Sequence, residues 1–290
     1  MAIKTVTVTI NGNTDALTNT GGNVWSATLT APGATSWNKA NHEYPVTITA
    51  TNTAGTVTTD NSYGVRVKEI VAPTITISSP TNGAMLSNNK QPVVFTVVDE
   101  TGGSGIDLSS LVVKLDGTVV SSATLQTTAI TNGYSVTYTP ASALSDGAHT
   151  ITASCSDNDG NAAAEKSTAF TIDTVPPTLN VTSPSDNIIT NAASCVVTGA
   201  TNDATSSPVT VTVNGSAVTV DANGTFSTTI TLAEGENTIT VVAKDSAGKT
   251  TTVVRTVTLD TSRPVISNVS ITPNPADTGA SMVLTVTVEG

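Results

Sequence analysis

An alternating apolar strand that runs into a tight glycine turn and starts back again occurs three times in this sequence. No other feature constrains the fold as much. The copies lie at Tyr44–Gly55, Ala148–Asn161 and Glu236–Thr250. Apolar residues fall on alternate positions, as at Ile239, Val241 and Ala243, and so line one face of a pleated strand. From the turn glycines Gly55, Gly160 and Gly248 the chain runs on to a proline, Pro73, Pro177 or Pro264. Proline cannot donate to a sheet ladder, so each one marks the entry to a new unit.

The length of 290 residues suits about three domains of roughly 100 residues each. Only 11% of residues are charged and 3% aromatic, against an abundance of Thr, Val, Ser, Asn and Gly. Branched side chains suit a pleated surface, so the composition is that of an all-β protein, and its cores must be thin and aliphatic. No amphipathic helix longer than a turn or two is evident. A net charge of −11 leaves no basic stripe for phosphates, which argues against nucleic acid. It suits a virion-borne, extracellular or cell-surface protein. No apolar run approaches membrane-spanning length, so membrane insertion is not expected. Residues 1–10 alternate like a strand and carry no basic-then-apolar signal peptide.

Residues 1–71 open on Val6–Ile10 and the hairpin dipeptide Asn11–Gly12, continue through a strand over 22–30 containing Trp25, and reach the first repeat after an irregular loop. Residues 72–174 form a unit with a second strand at Pro92–Glu100 and a hairpin at Asp116–Gly117. Residues 175–261 form another. Its Val209–Gly215 matches Val6–Gly12 except for Val213 in place of Ile10, and its Phe226 stands where the first unit has Trp25. Short strands with turn signals every eight to twelve residues point to tandem immunoglobulin-like β-sandwich domains in a rod.

Both ends look incomplete. Residues 1–71 lack the first two strands of the pattern, and residues 262–290 supply two such strands and stop. On the last strand Met282, Leu284, Val286 and Val288 would have no core. One reading is strand exchange, in which this tail completes the head of another copy, or another protein of the assembly supplies the strands. Such a contact is heterologous and would build a filament or ring. The plainer readings are a smaller first sandwich with a frayed tail, or chain boundaries that cut through domains.

Residues 177–260 resemble bacterial immunoglobulin-like repeats, including the accessory domain first described in glucodextranase. The resemblance rests on Val209–Gly215, Asp221–Phe226 and Glu234–Val241. Residues 72–174, with Gly103–Asp107 and Val112–Gly117, look like related bacterial surface repeats. The order of parts, with the opening Ile3–Gly12 and the ending Ile271–Val288, resembles immunoglobulin-like proteins encoded in tail gene clusters of phages and prophages of Gram-positive bacteria. That resemblance implies a virion protein assembled inside the cell. The alternatives are a stalk segment of a secreted bacterial adhesin and a carbohydrate-binding accessory module of a polysaccharide-degrading enzyme.

Catalytic chemistry finds no constellation. His42 and His149 fall in different units, with His149 read as turn punctuation before a strand. The Gly102–Gly105 run lacks the spacing of a nucleophile elbow, and no base stands ready for the many Ser and Thr residues. Cys155 and Cys195 lie one domain apart and read as small buried thiols, not a disulfide or metal site. No cofactor is expected apart from calcium. In a sandwich the loops after the second and sixth strands meet near the incoming linker, which would gather Asp99, Glu100, Asp157 and Asp159 near Glu69. The next junction would gather Asp173, Asp203 and Asp245. Calcium takes six to eight oxygens. Against this, Asp157 and Asp245 align with Asn52, a position whose side-chain acceptor serves the turn. Trp37, in an Asn-rich loop, and Tyr44 could stack on a cell-surface glycan or a partner. Trp37 could equally fold over the open edge of its own domain.

Overall fold

The structure, a computed structural model, describes residues 2–290, which divide into two compact units, one ending at Asp173 and one beginning at Thr174. Among the described residues there is no α-helix, only the 3-10 turns Ala40–His42 and Ser122–Thr124.

The first unit opens with β1 (Ile3–Ile10), β2 (Asn13–Ala16), β3 (Thr18–Gly21), β4 (Val24–Ser26), β5 (Tyr44–Asn52) and β6 (Val57–Val65). One sheet runs β2-β1-β5-β6, while β3 and β4 pair only with each other. Asn11 and Gly12 join β1 to β2 with φ of 49° and 82°, the left-handed pair that a two-residue hairpin needs. Pairing of Val6 with Ala50, Val8 with Ile48 and Ile10 with Val46 gathers the apolar residues on one face. Val6 and Val8 are buried there, the others half-buried, and β6 is exposed up to Val65.

The rest of this unit comprises β7 (Thr74–Ser79), β8 (Ala84–Leu86), β9 (Val93–Val98), β10 (Ile106–Leu115), β11 (Thr118–Val119), β12 (Leu125–Ile130), β13 (Gly133–Tyr138), β14 (Gly147–Asp157) and β15 (Lys166–Ile172). Two sheets, β12-β13-β9-β7 and β11-β10-β14-β15-β8, enclose Ile75, Phe95, Val97, Val113, Val136 and Ile151. Alternation dictates this core, since Phe95 and Val97 face in while Thr96 and Val98 do not.

In the second unit, β16 (Thr178–Ser183), β17 (Ile188–Thr190), β18 (Ser194–Asn202), β19 (Thr210–Val213), β20 (Ser216–Val218), β21 (Thr225–Thr231), β22 (Gly235–Lys244) and β23 (Thr250–Leu259) repeat the plan. The sheets are β16-β18-β21 and β17-β23-β22-β19-β20, around Val197, Val211, Phe226, Ile239, Val241 and Val257. Gly199 faces Phe226 across β18 and β21, and a Cβ there would lie 2.5 Å from Cζ of that ring. The last two strands, β24 (Val265–Thr272) and β25 (Val283–Glu289), pair only with each other. Their register sets Ile266 against Val288, Val269 against Val286 and Ile271 against Leu284, so one face is apolar. Every residue of both strands is exposed, with Ile266 at 63% and Leu284 at 62%.

Two expectations fail here. The strand around Trp25 ends at Ser26, and Trp25 is only half-buried, whereas Phe226 is 4% exposed. Phe226 lies on β21, which β18 and β16 extend into a wider sheet; β4 pairs only with β3. His149 is not turn punctuation. It lies within β14, buried against Phe170, with its ring nitrogens at 2.8 Å from Asp116 Oδ2 and from the Ser145 carbonyl.

Candidate functional site

The chemistry-bearing residues of the first unit converge at the segment between β6 and β7, which carries Lys68, Glu69 and the exposed Ile70. Asp99 and Glu100 follow β9, and the run Gly102–Gly105 bends back over them. The Gly105 amide donates to Asp99 Oδ2 at 2.6 Å, and the Ser104 amide donates to Glu69 Oε1. A Cβ at Gly103 would lie 2.4 Å from Asp99 Oδ2 and 2.9 Å from Glu69 Oε2, so any larger residue would displace these two acids. Each of these two acids therefore spends one oxygen holding the loop. Their other oxygens, Asp99 Oδ1 and Glu69 Oε2, are buried without a hydrogen-bond partner, as is Glu100 Oε2. One carboxylate oxygen from each of the three lies within 4.8 Å of the others. The close approach of the Glu69 carboxylate, with burial, pushes Glu100 up to about 7.

Asp157 and Asp159, expected in the same group, do other work. Asp157 Oδ1 accepts the Asn161 amide at 2.9 Å and Oδ2 its side-chain amide at 2.8 Å, closing the turn at Gly160. Asn52 closes the equivalent turn by accepting the amides of Ala54 and Thr56, each at 2.9 Å. Asp245 does so by accepting the Lys249 amide at 2.8 Å. The aligned position therefore serves the turn, as its side-chain acceptor suggests. Asp159 Oδ2 accepts Thr35 Oγ1 at 2.5 Å and the Glu69 amide at 3.1 Å, while its carbonyl accepts Lys68 Nζ at 3.0 Å. Its role is to fasten the loop before β5 and the segment before β7 to the β14 turn. Asp173 closes the first unit, fully buried. In the second unit Asp203 Oδ1 accepts the amides of Thr205 and Ser206, each at 2.8 Å, and Asp245 Oδ2 is buried without a partner.

The loop before β5 has its own order. Ser36 is buried and its Oγ donates to the His42 carbonyl at 2.7 Å, and Asn38 Nδ2 donates to the Gly103 carbonyl at 2.9 Å. Trp37 stacks on His42 with ring centroids 4.2 Å apart, so one face of the indole is taken. Tyr44 does not fit the expected role in binding. It is 3% exposed, its hydroxyl donates to the Ala34 carbonyl at 3.2 Å, and Lys39 Nζ stands 5.3 Å from its ring centroid. Cys155 and Cys195 are free, buried thiols. Burial, aided by the charges of Asp157 and Asp99, pushes Cys155 up to about 11, and burial also raises Cys195, so neither is a ready thiolate. An open groove of about 560 Å³ in the second unit is walled by Thr178, Asn180, Asp203 and Asp221 and has no aromatic side chain.

Sequence reasoning named the five acids but missed Gly103, Ser104 and Thr35. The available signal was the Gly102–Gly105 run opposite two acids, since glycine lets backbone amides approach carboxylates closely.

Comparison with known proteins agrees with the architecture. Residues 72–174 match a bacterial Ig-like domain family, and residues 177–261 match glucodextranase domain B. The chain is thus built of tandem immunoglobulin-like β-sandwich domains. Bacillopeptidase F of Bacillus subtilis is 34% identical over 124 residues, covering 43% of this chain and 8% of that protein. Chitinase ChiA of Flavobacterium johnsoniae is 28% identical over 223 residues, covering 70% of this chain and 14% of the chitinase. The chain therefore spans only a small part of the curated relatives it matches. Among solved structures, the fibronectin(III)-like modules of Clostridium thermocellum CbhA share 20% identity over 64% of this chain and 94% of theirs, with a TM-score of 0.41. A tetra-tandem repeat from the extending region of a large adhesion protein shares 22% identity over 98% of this chain and 79% of its own, with a TM-score of 0.34. No helix among the described residues is long and apolar enough to cross a membrane.

Proposed function

We propose that this chain is a non-catalytic structural and interaction module, borne on a phage or phage-like particle or on the cell surface, that assembles by strand addition. The observation that supports this reading is the β24–β25 hairpin, whose Ile266, Val269, Ile271, Leu284, Val286 and Val288 share one exposed face. Within the second unit, a hairpin of the same kind, β16 with β18, lies over the sheet β17-β23-β22-β19-β20 and pairs onward with β21. The sheet β2-β1-β5-β6 has the matching order and only the short β3–β4 hairpin to accompany it. The β24–β25 hairpin of one copy fits over that sheet in another, with β25 beside β4. A head-to-tail contact of this kind propagates unless a different protein of the particle or surface caps it. Sedimentation velocity over a concentration series tests it. Association should grow with concentration and be lost in Val286→Asp; a wild-type chain that stays monomeric throughout would refute it.

A second reading is favoured by the relatives. The matches to short parts of a chitinase and of bacillopeptidase F, and to glucodextranase domain B, support an accessory segment of a large polysaccharide- or protein-degrading enzyme. It predicts retention on insoluble polysaccharide that Trp37→Ala abolishes, and the absence of any retention would dispose of it.

A further inference from the structure

Three carboxyl groups crowd together before β7 without a cation among them. Glu69 Oε2, Asp99 Oδ1 and Glu100 Oε2 are all buried and unpartnered, and Asp99 is 4% exposed. The ion pairs among the described residues, Lys114 with Glu165 and His149 with Asp116, do not touch them. Lys68, the nearest cation in sequence, spends its ammonium on the Asp159 carbonyl at 3.0 Å. An uncompensated buried carboxylate oxygen is costly, and three facing one another add mutual repulsion.

We propose that this cluster is a calcium site that ties the segment before β7 to the loop after β9. Every donor is a carboxylate oxygen, which suits a hard cation and offers nothing to a metal that prefers nitrogen or sulfur. One oxygen from each residue lies within 4.8 Å of the others. Ligands of one calcium at about 2.3–2.6 Å stand up to roughly 5 Å apart, so a single ion reaches all three as placed. The remaining oxygens of Glu69 and Asp99 are fixed by the Ser104 and Gly105 amides, so two of the ligands are oriented before any ion arrives. Gly103 belongs to the same device, because a side chain there would occupy the space between Asp99 and Glu69. Bound calcium would stiffen the connection between β6 and β7, since Glu69 lies in the connecting segment while Asp99 and Glu100 belong to the sandwich.

The test uses the full 290-residue chain stripped with chelator, titrated with calcium chloride by calorimetry and melted with and without the ion. With calcium about 100-fold above its Kd, the first unit should melt roughly 5–10 °C higher. Glu100→Gln removes one ligand charge and leaves the loop contacts of Glu69 and Asp99 intact. It should weaken calcium binding at least about tenfold. In chelator it should melt no lower than wild type, because repulsion is relieved, and this also shows that the variant folds. No heat and no melting shift at about 5 mM calcium, beyond the range of weak extracellular modules, would overturn the proposal. So would a Glu100→Gln chain that binds calcium as tightly as wild type.

Discussion

Phe226 and Trp25 occupy equivalent sequence positions but different surroundings, and the difference can be weighed by truncating each to alanine. Phe226 is 4% exposed, packed against Gly199 and ringed by the aliphatic core of the second unit. Removing a fully buried phenylalanine costs about 3–5 kcal/mol, because transfer and cavity terms add. For a unit of this size that corresponds to a fall of roughly 10–25 °C in melting temperature. Trp25 is half-buried on the three-residue β4, which pairs only with β3, so its truncation in a monomeric chain forfeits only about 1–1.5 kcal/mol of burial. Differential scanning calorimetry at low concentration reads the two units as separate transitions, which keeps the two effects apart. Phe226→Ala should pull one transition down steeply and leave the other in place, while Trp25→Ala moves its own by a few degrees. Under conditions where copies associate, Trp25→Ala should weaken that association, since the proposed contact sets β25 beside β4. If Trp25→Ala in the monomer were as damaging as Phe226→Ala, residues 1–71 would already possess a closed core, and the reasoning about open sheets would fail.

Two further outcomes follow from single contacts. Burial opposes the charge on His149, but the Ser145 carbonyl and the Asp116 carboxylate outweigh it and raise its pKa above the ordinary value. The group therefore binds a proton more tightly when folded. Its stabilisation is full below about pH 6.5 and fades as pH rises through the folded pKa. Asp116→Asn, which keeps a residue tolerant of the positive φ there, should flatten this pH dependence in a melting series. Gly199→Ala would set a Cβ 2.4 Å from the Asn180 carbonyl oxygen and 2.5 Å from the Phe226 ring. Overpacking of that kind costs about 1–3 kcal/mol, and a lowered denaturant midpoint with an unchanged slope would register it.

Much of this fold was legible in the sequence because strands and turns obey local rules. Asn11–Gly12, Asp116–Gly117 and Asn214–Gly215 all take the paired positive φ of a two-residue hairpin. β7, β16 and β24 each begin one residue after a proline that read as a boundary, at Pro73, Pro177 and Pro264. Alternation alone placed Cys155 and Ala243 inside. What failed depended on strands and loops far off in the chain. Sequence equivalence with Phe226 says nothing of whether strands stand beside β4 to shield Trp25, and an aromatic beside a loop, such as Tyr44, looks the same whether it faces solvent or is folded under. The acids show the same divide. Their gathering near Glu69 followed from topology, but whether each oxygen meets an amide or another acid is decided by loop geometry. Asp159 meets Thr35 from a loop 124 residues away, a distance across which no local pattern reports.

The most direct test of assembly by strand addition is an amide NMR titration. A labelled chain ending at Asp260 would receive an unlabelled peptide of residues 262–290. Donation of β24 and β25 predicts saturable shifts at Val6, Val8 and Val24–Ser26, with the amides of the second unit unmoved. An unchanged spectrum for residues 2–71 up to about millimolar peptide, where even weak complexes populate, would contradict it.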